Sequence, residues 1–199
     1  LAGGVDSYLD VATMEWLDQT GRLHASRRRG GFTPGEAAGF CLLASSRWLA
    51  TGSLRAPASV IGAGSAVERA TIGRKKVCTG AGLSAAFEGA LAPVRSARAR
   101  VVALIGDLNG EPYRADEVGF ALSRAADTFD GPPEILAPAA YWGDVGAASG
   151  ALFAGLAFAA AARGDAPGGA TLLWASSEGG RSAAAPSRPP CRAAAASGC

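Results

Sequence analysis

The stretch VGAASGALFAGLAFAAAA, residues 145–162, contains eighteen residues without one charge, between Asp144 and Arg163. Its length falls within the roughly 17–25 apolar residues that a transmembrane helix needs. Most of it is alanine and glycine, however, and these residues contribute little apolar area to insertion into lipid. Small residues suit a helix whose neighbours approach its backbone closely on every side. The stretch therefore predicts a central buried helix of a globular protein and argues against a membrane span.

Charge and motif content narrow the function classes further. The chain has 19 basic and 17 acidic residues and a net charge of +2, without the basic surplus typical of nucleic-acid binding. Its four cysteines form no C-x-x-C pair, which favours a reduced, cytoplasmic setting and predicts no metal site. The sequence has neither a phosphate-loop motif nor G-x-G-x-x-G between a strand and a helix, so no cofactor is predicted. Because the chain starts at Leu1 without a signal-peptide pattern, we expect a piece of a longer protein.

Apolar periodicity predicts strands that alternate with helices. Helices are expected over residues 10–19, 81–92 and 115–128, a buried strand over 37–50, a strand and loop over 55–68, a short strand over 101–105, and two strands joined by a glycine turn over 170–184. This alternation indicates a layered α/β fold with a mixed sheet. After Pro186 the sequence loses all periodicity. We therefore expect one domain over residues 1–185 and a disordered or aberrant tail over 186–199.

Four segments, in order along the chain, carry a resemblance to one enzyme family. GFTPGEAAGFCLL (31–43) resembles the motif G-F-V-x-G-E-G-A-G, and GDLNGEPYRADEVGFAL (106–122) stands where the family has H-G-T-G-T-x-x-x-D-x-x-E-x-x-A-L, with Glu117 on its glutamate. YWGDVGAASGAL (141–152) resembles T-G-H-x-x-G-A-A-G, and SSEGGRSAA (176–184) resembles S-F-G-F-G-G-T-N-A. The chain thus resembles the C-terminal half of a β-ketoacyl-acyl-carrier-protein synthase, a condensing enzyme of the thiolase fold.

The resemblance implies a thiolase-like α/β half with its central helix packed between two sheets. It also implies acyl transfer on acyl-carrier-protein or CoA thioesters in fatty-acid or polyketide synthesis, no cofactor, and a homo- or heterodimer of thiolase-fold subunits. The family's nucleophilic cysteine would precede this sequence, since none of the four cysteines occupies its place.

The sequence departs from the family at both catalytic histidines. The first falls at Gly106 or Asp107 and the second at Gly143 or Asp144. One hypothesis is that Asp107 and Asp144 face one cavity, share a proton and act as acid and base. The alternative is structural: Asp144 caps the helix that follows it, while Asp107 and Asn109 hold a turn through hydrogen bonds to backbone.

Three further residues are candidates for substrate or oxyanion contacts. Asn109 could donate hydrogen bonds to a substrate, although Asn-Gly is also ordinary turn chemistry. Gly179 and Gly180 stand on the family's glycine turn, where a Cβ would obstruct close backbone approach, and an ordinary hairpin turn explains them equally well. The sole histidine, His24, lies in an unrelated loop and is expected to have a surface or structural role.

Two functions therefore stay open at this point. The first is a divergent condensing or acyl-transfer enzyme with Asp107 and Asp144 in place of the histidines. The second is a catalytically silent subunit, like a chain-length factor, that shapes an acyl tunnel or holds an active partner. The residues present do not decide whether the protein is catalytically active.

Overall fold

The described part of the chain forms two β-sheets, one of two strands and one of six. The computed structural model describes residues 1–25, 30–52, 55–72, 77–165 and 168–189. The strands are β1 Ala2–Ser7, β2 Glu36–Cys41, β3 Ser59–Val60, β4 Gly64–Val67, β5 Val101–Gly106, β6 Phe129–Leu136, β7 Ala170–Ser176 and β8 Arg181–Arg188. The helices are α1 Val11–Gln19, α2 Ser46–Leu49, α3 Ala81–Ser96, α4 Pro112–Arg124, α5 Ala139–Trp142 and α6 Ser149–Arg163.

The larger sheet is mixed and is ordered β3-β8-β7-β5-β6, with β4 also paired to β8. Strand β5 lies between β7 and β6 and runs parallel to both, while β7 and β8 form an antiparallel hairpin. The continuous apolar run that predicted β5 is typical of a strand covered on both faces. The smaller sheet pairs β1 with β2 antiparallel.

One face of the larger sheet carries most of the hydrophobic core. Helices α3 and α4 pack on it, and the core includes Leu83 and Phe87 from α3, Val118 from α4, and Leu104 and Trp174 from the sheet. The recurrence of buried residues along α3 every three or four positions produces this packing. The predicted helix over 81–92 is confirmed and continues for four more residues.

Helix α6 lies between the two sheets, as the resemblance implied. It contacts β1 and β2 on one side and β5 and β7 on the other. Within the described chain only Ser149, Phe153 and Ala157 of α6 are buried, and Phe158 is 53% exposed. The segment Gly146–Arg163 is long and apolar enough to cross a membrane, with a mean hydropathy of 1.3 and 22% of it buried. Strands thus contact α6 on two sides, but within the described residues most of the helix is not buried, so the burial on every side that the sequence predicted is not reached.

Two predicted boundaries need correction. Residues 37–50 do not form one buried strand, because β2 ends at Cys41 and the Ser45 side chain accepts a hydrogen bond from the Trp48 backbone N–H to begin α2. Strand β2 is mostly exposed or half-buried because it belongs to the small sheet, which α6 covers on one face. At the other end, β8 pairs with β7 and β3 through Pro186 to Arg188. The predicted tail therefore starts too early, and its residues 190–199 lie outside the described residues.

The helix predicted over 115–128 also differs at its start. It begins at Pro112, where a proline suits the first helical turn because its missing N–H needs no partner there. It ends at Arg124 and is followed by a 3-10 turn over Ala126–Thr128.

Candidate functional site

A cluster of polar side chains gathers where β5 and β7 end. Asp107 directly follows β5, Ser176 is the last residue of β7, and residues 177–180 turn the chain into β8. The carboxyl ends of parallel strands meet at one edge of a sheet, where α/β proteins commonly bind ligands. The sequence-predicted residues Asp107, Asn109 and Asp144 all lie in this region.

The Asp107 carboxylate is buried and already engaged. Its Oδ2 accepts a hydrogen bond of 2.9 Å from the backbone N–H of Ser176, which ties the end of β5 to the end of β7. Arg114 Nη1 lies 3.2 Å from the same oxygen, close enough for an ion pair but outside hydrogen-bond geometry. Burial raises the pKa of Asp107 to about 7, against the attraction of Arg114 and with further repulsion from Asp144.

Glu117, the glutamate of the motif, is fully buried, and its charge acts on Asp107. Its Oε1 accepts from Ser182 Oγ at 3.4 Å, and Ser182 Oγ also accepts from Ser176 Oγ at 3.0 Å. Burial raises the pKa of Glu117 above its ordinary value. Arg114, which attracts both carboxyl groups, is a residue that the sequence analysis missed. The available signal was its position three residues before Glu117, where the family motif has an aspartate.

Asp144 makes the contact that a structural role predicts, a hydrogen bond at the start of the helix that follows it. Its Oδ1 accepts a 2.9 Å hydrogen bond from the Gly146 N–H at the entry to α6. Its backbone is held as well, since Asp144 N donates to Thr33 O at 2.7 Å and Gly35 N donates to Asp144 O at 2.8 Å. Asp144 therefore fixes the strand-like segment before β2 to the start of the central helix.

Asn109 joins the two aspartate-bearing loops. Its Nδ2 donates to Asp144 Oδ2 at 2.8 Å and lies 3.2 Å from Glu111 Oε2, while its Oδ1 accepts from Glu111 N at 3.0 Å. The last bond is an Asx turn, the local chemistry expected of an Asn-Gly sequence. The Asn109 amide is thus directed at Asp144 and Glu111, and both its hydrogen-bonding groups have protein partners.

The two glycines of the β7–β8 turn differ in what they require. Gly180 has φ +85, and a Cβ there would collide with the backbone oxygen of Glu68. The only atom near a Cβ at Gly179 would be Ser177 Oγ at 3.8 Å. Glu68 is itself fixed: although burial acts to raise its pKa, hydrogen bonds from Ala70 N and Gly82 N lower it. Only Gly180 is therefore demanded by close backbone approach.

An ion-pair network that the sequence did not predict lies at the same edge. Arg22 pairs with Glu111 and with Glu178 of the β7–β8 turn, at 2.7 Å and 2.6 Å. No motif predicted these pairs, because Glu111 lies 89 positions and Glu178 lies 156 positions after Arg22 in the sequence. Such a network is decided by how the loops fold together.

An open cavity of about 310 Å³ adjoins this cluster. It is lined by His24, Gly31, Thr33, Leu108, Asn109, Gly110, Ala137, Ala139 and Ala140. Neither Asp107 nor Asp144 is among these lining residues. His24 is exposed and lines this cavity together with Asn109. His24 therefore lies in the region of the candidate site. Within the described ranges, no three potential metal ligands come together.

Comparison with solved structures identifies the fold. The ketosynthase from module 6 of the bacillaene synthase of Bacillus subtilis 168 matches 94% of this chain with a TM-score of 0.74 and 14% identity. A type II polyketide synthase acyl-carrier protein in complex with its ketosynthase bound to the hexaketide matches 94% with a TM-score of 0.69 and 15% identity. A ketosynthase in complex with its chain length factor from Xenorhabdus doucetiae matches 94% with a TM-score of 0.67 and 15% identity.

The chain thus has the thiolase-like α/β fold of ketosynthases, and the resemblance carried by its four motifs is confirmed at the level of fold. It spans 42%, 55% and 52% of the length of these three structures, in the order given. No family model matches the sequence, and no curated protein matches it.

Proposed function

We propose that this chain is part of a ketosynthase-fold protein that accommodates an acyl thioester without supplying acid–base catalysis, in the manner of a silent, chain-length-factor-like subunit. The observation that carries the proposal is the state of the two aspartates in the histidine positions. Both carboxylates are engaged by protein groups, and neither lines the cavity beside Asn109.

Condensing chemistry needs donors that hold the thioester oxyanion and a group that assists decarboxylation or deprotonation, each within hydrogen-bond reach of substrate. Asp107 Oδ2 instead receives the Ser176 N–H, and Asp144 receives the Gly146 N–H and the Asn109 amide. These contacts bind loops to one another and occupy one oxygen of Asp107 and both oxygens of Asp144 with protein donors.

Helix α6 leaves an apolar flank open, and the small sheet carries Val5, Phe40, Leu42 and Leu43 at or beside its strands, each at least 58% exposed. Exposed apolar area of this kind marks a surface that another element covers. Because the chain spans about half of its structural neighbours, we propose that the remaining half of the same protein packs here. An acyl-carrier protein and a catalytic subunit of the same fold are the proposed partners, and a cytoplasmic setting is part of the same proposal.

Intact mass spectrometry of the full-length protein with octanoyl-coenzyme A as acyl donor tests the proposal. We expect no covalent octanoyl adduct on this protein, and an adduct on a ketosynthase partner when the two are incubated together. An adduct on this protein that maps to a cysteine would contradict the silent function.

One observation favours the second candidate, acyl transfer. Burial brings the pKa of Asp107 to about 7, which is the range of an effective general acid or base at neutral pH. If an adduct forms, Asp107→Asn and Asp144→Asn should each slow it at least ~10²-fold. Asp116→Asn is the matched control, since Asp116 is exposed on α4 outside the cluster and should leave the rate unchanged.

A further inference from the structure

The Arg22 guanidinium is a point where two loops of the candidate site are joined. Its Nε and Nη2 donate to the two carboxylate oxygens of Glu111 at 2.7 Å and 2.9 Å, and its Nη1 donates to Glu178 Oε1 at 2.6 Å. Glu111 belongs to the loop after β5, and Glu178 belongs to the β7–β8 turn. One side chain therefore spans both loops with all three of its nitrogens.

The surroundings of Arg22 hold the guanidinium in this orientation. It lies 5.5 Å from the ring centre of Trp16 and 5.4 Å from that of Phe32, and its side chain is 13% exposed. The backbone is anchored on both sides, because Arg22 N donates to Leu17 O and Phe32 N donates to Arg22 O, each at 2.9 Å. Burial alone would lower the pKa of Arg22, yet the hydrogen bonds to Glu111 and Glu178 raise it above its ordinary value.

The contact with Glu111 continues into the predicted site residues. The Glu111 backbone N–H donates to Asn109 Oδ1, and the Asn109 amide donates to Asp144, whose other oxygen accepts from Gly146 N. A continuous chain of hydrogen bonds thus runs from Arg22 to the entry of α6. The orientation of Asn109 depends on where Arg22 holds Glu111.

We propose that Arg22 is the positioning residue of the candidate site: it fixes the loop after β5 against the β7–β8 turn and so aligns Asn109 with Asp144. The proposal rests on the proposed function only in treating this cluster as the site. Its two contacts are unequal, because the Glu111 side chain is 5% exposed and that of Glu178 is 42% exposed. The Glu178 contact is therefore the one that salt screens and the one that opens first.

Lysine cannot replace arginine in this arrangement. A guanidinium presents a planar fork that bonds a carboxylate at two points and stacks on aromatic rings, whereas an ammonium is a compact point charge. Arg22→Lys keeps the charge but loses the two-point bond to Glu111 together with the reach to Glu178. Glu178→Gln removes only the exposed contact, and its solvent-exposed position makes it a variant that folds.

Hydrogen-exchange mass spectrometry on the full-length protein tests the proposal without any thioester. In Arg22→Lys we expect amide exchange to rise about tenfold in both segments 107–111 and 177–180. In Glu178→Gln the rise is confined to 177–180, and wild-type protein in about 0.5 M NaCl reproduces that pattern. Arg124→Lys is the matched control, because Arg124 stacks on Phe120 at 5.5 Å and donates to Thr79 O away from the site. Its exchange in both segments should equal that of wild type.

The side-chain amide of Asn109 gives a second readout that a purely structural role would leave unmoved. Its ¹⁵N–¹H resonances should shift in Arg22→Lys and stay in place in Glu178→Gln and Arg124→Lys. Unchanged exchange in both segments for Arg22→Lys, or a uniform rise over all peptides, would overturn the proposal. An octanoyl adduct on this protein would reject the silent function while leaving these exchange results intact, so the two failures are distinguishable.

Discussion

Helices α3 and α6 are nearly equal in length, yet the chain covers them very differently. Of the 16 residues of α3, seven are buried, whereas three of the 15 residues of α6 are. Helix α6 is nevertheless the less charged of the two, with Arg163 as its single ionisable residue against Glu88 and Arg95 in α3. The difference shows that an apolar composition makes a helix suitable for burial but does not bury it. Whether other elements cover the helix depends on the tertiary structure.

The two faces of the larger sheet repeat this contrast. Among the described residues, the core cluster on the α3 face contains sixteen buried residues and the one on the α6 face contains four. The α3 face is closed by this chain. The α6 face is the one against which we propose that the rest of the protein packs.

The largest expected effect tests the closed face. Phe87 of α3 has no exposed surface, and Phe87→Ala should lower the free energy of unfolding by about 3–5 kcal/mol through lost burial and the cavity left behind. Urea denaturation of the full-length protein measures it. A loss below ~1 kcal/mol would mean that the α3 face is not the rigid half of the molecule.

Asp107 is a buried carboxyl group at the end of β5 in the larger sheet. A pKa of about 7 in the folded protein, raised from 3.8, makes folding stability greatest at low pH and lower as the pH rises from about 4 to 7. Asp107→Asn should abolish this fall, so that the variant gains stability over wild type at pH 9 by up to about 1.4 kcal/mol per unit of pKa shift. Denaturation between pH 4 and 9 measures the difference.

The opposite result is equally informative for Asp107. If Asp107→Asn is less stable than wild type at pH 9, the ion pair with Arg114 outweighs the cost of burial. The carboxylate would then be charged at neutral pH and could not serve as the proton-sharing acid of the catalytic hypothesis.

The adjacent glycines of the β7–β8 turn give a matched pair with a smaller effect. Gly180→Ala places a Cβ against the Glu68 backbone at φ +85 and should cost about 1–3 kcal/mol. Gly179→Ala should stay within about 0.5 kcal/mol of wild type, since it has open space around it. Equal costs at both positions, measured as shifts in denaturation midpoint, would show that the turn is not packed against the α3 side.

The smallest effect belongs to the open face. In the 199-residue chain, Phe158→Ala should change the free energy of unfolding by less than about 0.5 kcal/mol, because Phe158 is 53% exposed. In the full-length protein the same substitution should cost several times more if the remaining half covers α6. Equal values in both proteins would show that this flank of α6 stays open.

The periodicity of apolar residues predicted those helices and strands that are buried by other parts of this same chain. The apolar run of β5, the helical spacing of α3 and the strand-turn-strand of β7 and β8 all formed as expected, because their periodicity matches the faces that this chain itself covers. The strand predicted over residues 37–50 was too long, since its apolar residues belong to a small sheet with one uncovered face. Periodicity cannot distinguish an apolar residue buried by its own chain from one left for another layer.

The sequence predicted several residues of the candidate site but not the ion pairs and hydrogen bonds that hold them. Asp107, Asn109 and Asp144 were placed by motif alignment, and the structure brings them to one edge of the sheet. Arg22, which pairs with Glu111, comes from outside the four motif segments, whereas Arg114 stands within one of them at a position where the family has an aspartate. Hydrogen bonds between distant loops leave no local pattern.

The sequence by itself determined the thiolase-like α/β fold, through the order of four motifs and the alternation of strands with helices. It also placed aspartates in or beside the two positions where the family resemblance implies catalytic histidines, and the sole histidine elsewhere, at His24. Only the tertiary structure decided which groups these aspartates contact: the Ser176 N–H for Asp107, and the Gly146 N–H and the Asn109 amide for Asp144. The physical reason is that side-chain periodicity is a local property of the chain, whereas the burial and pairing of a charge depend on every loop that folds around it.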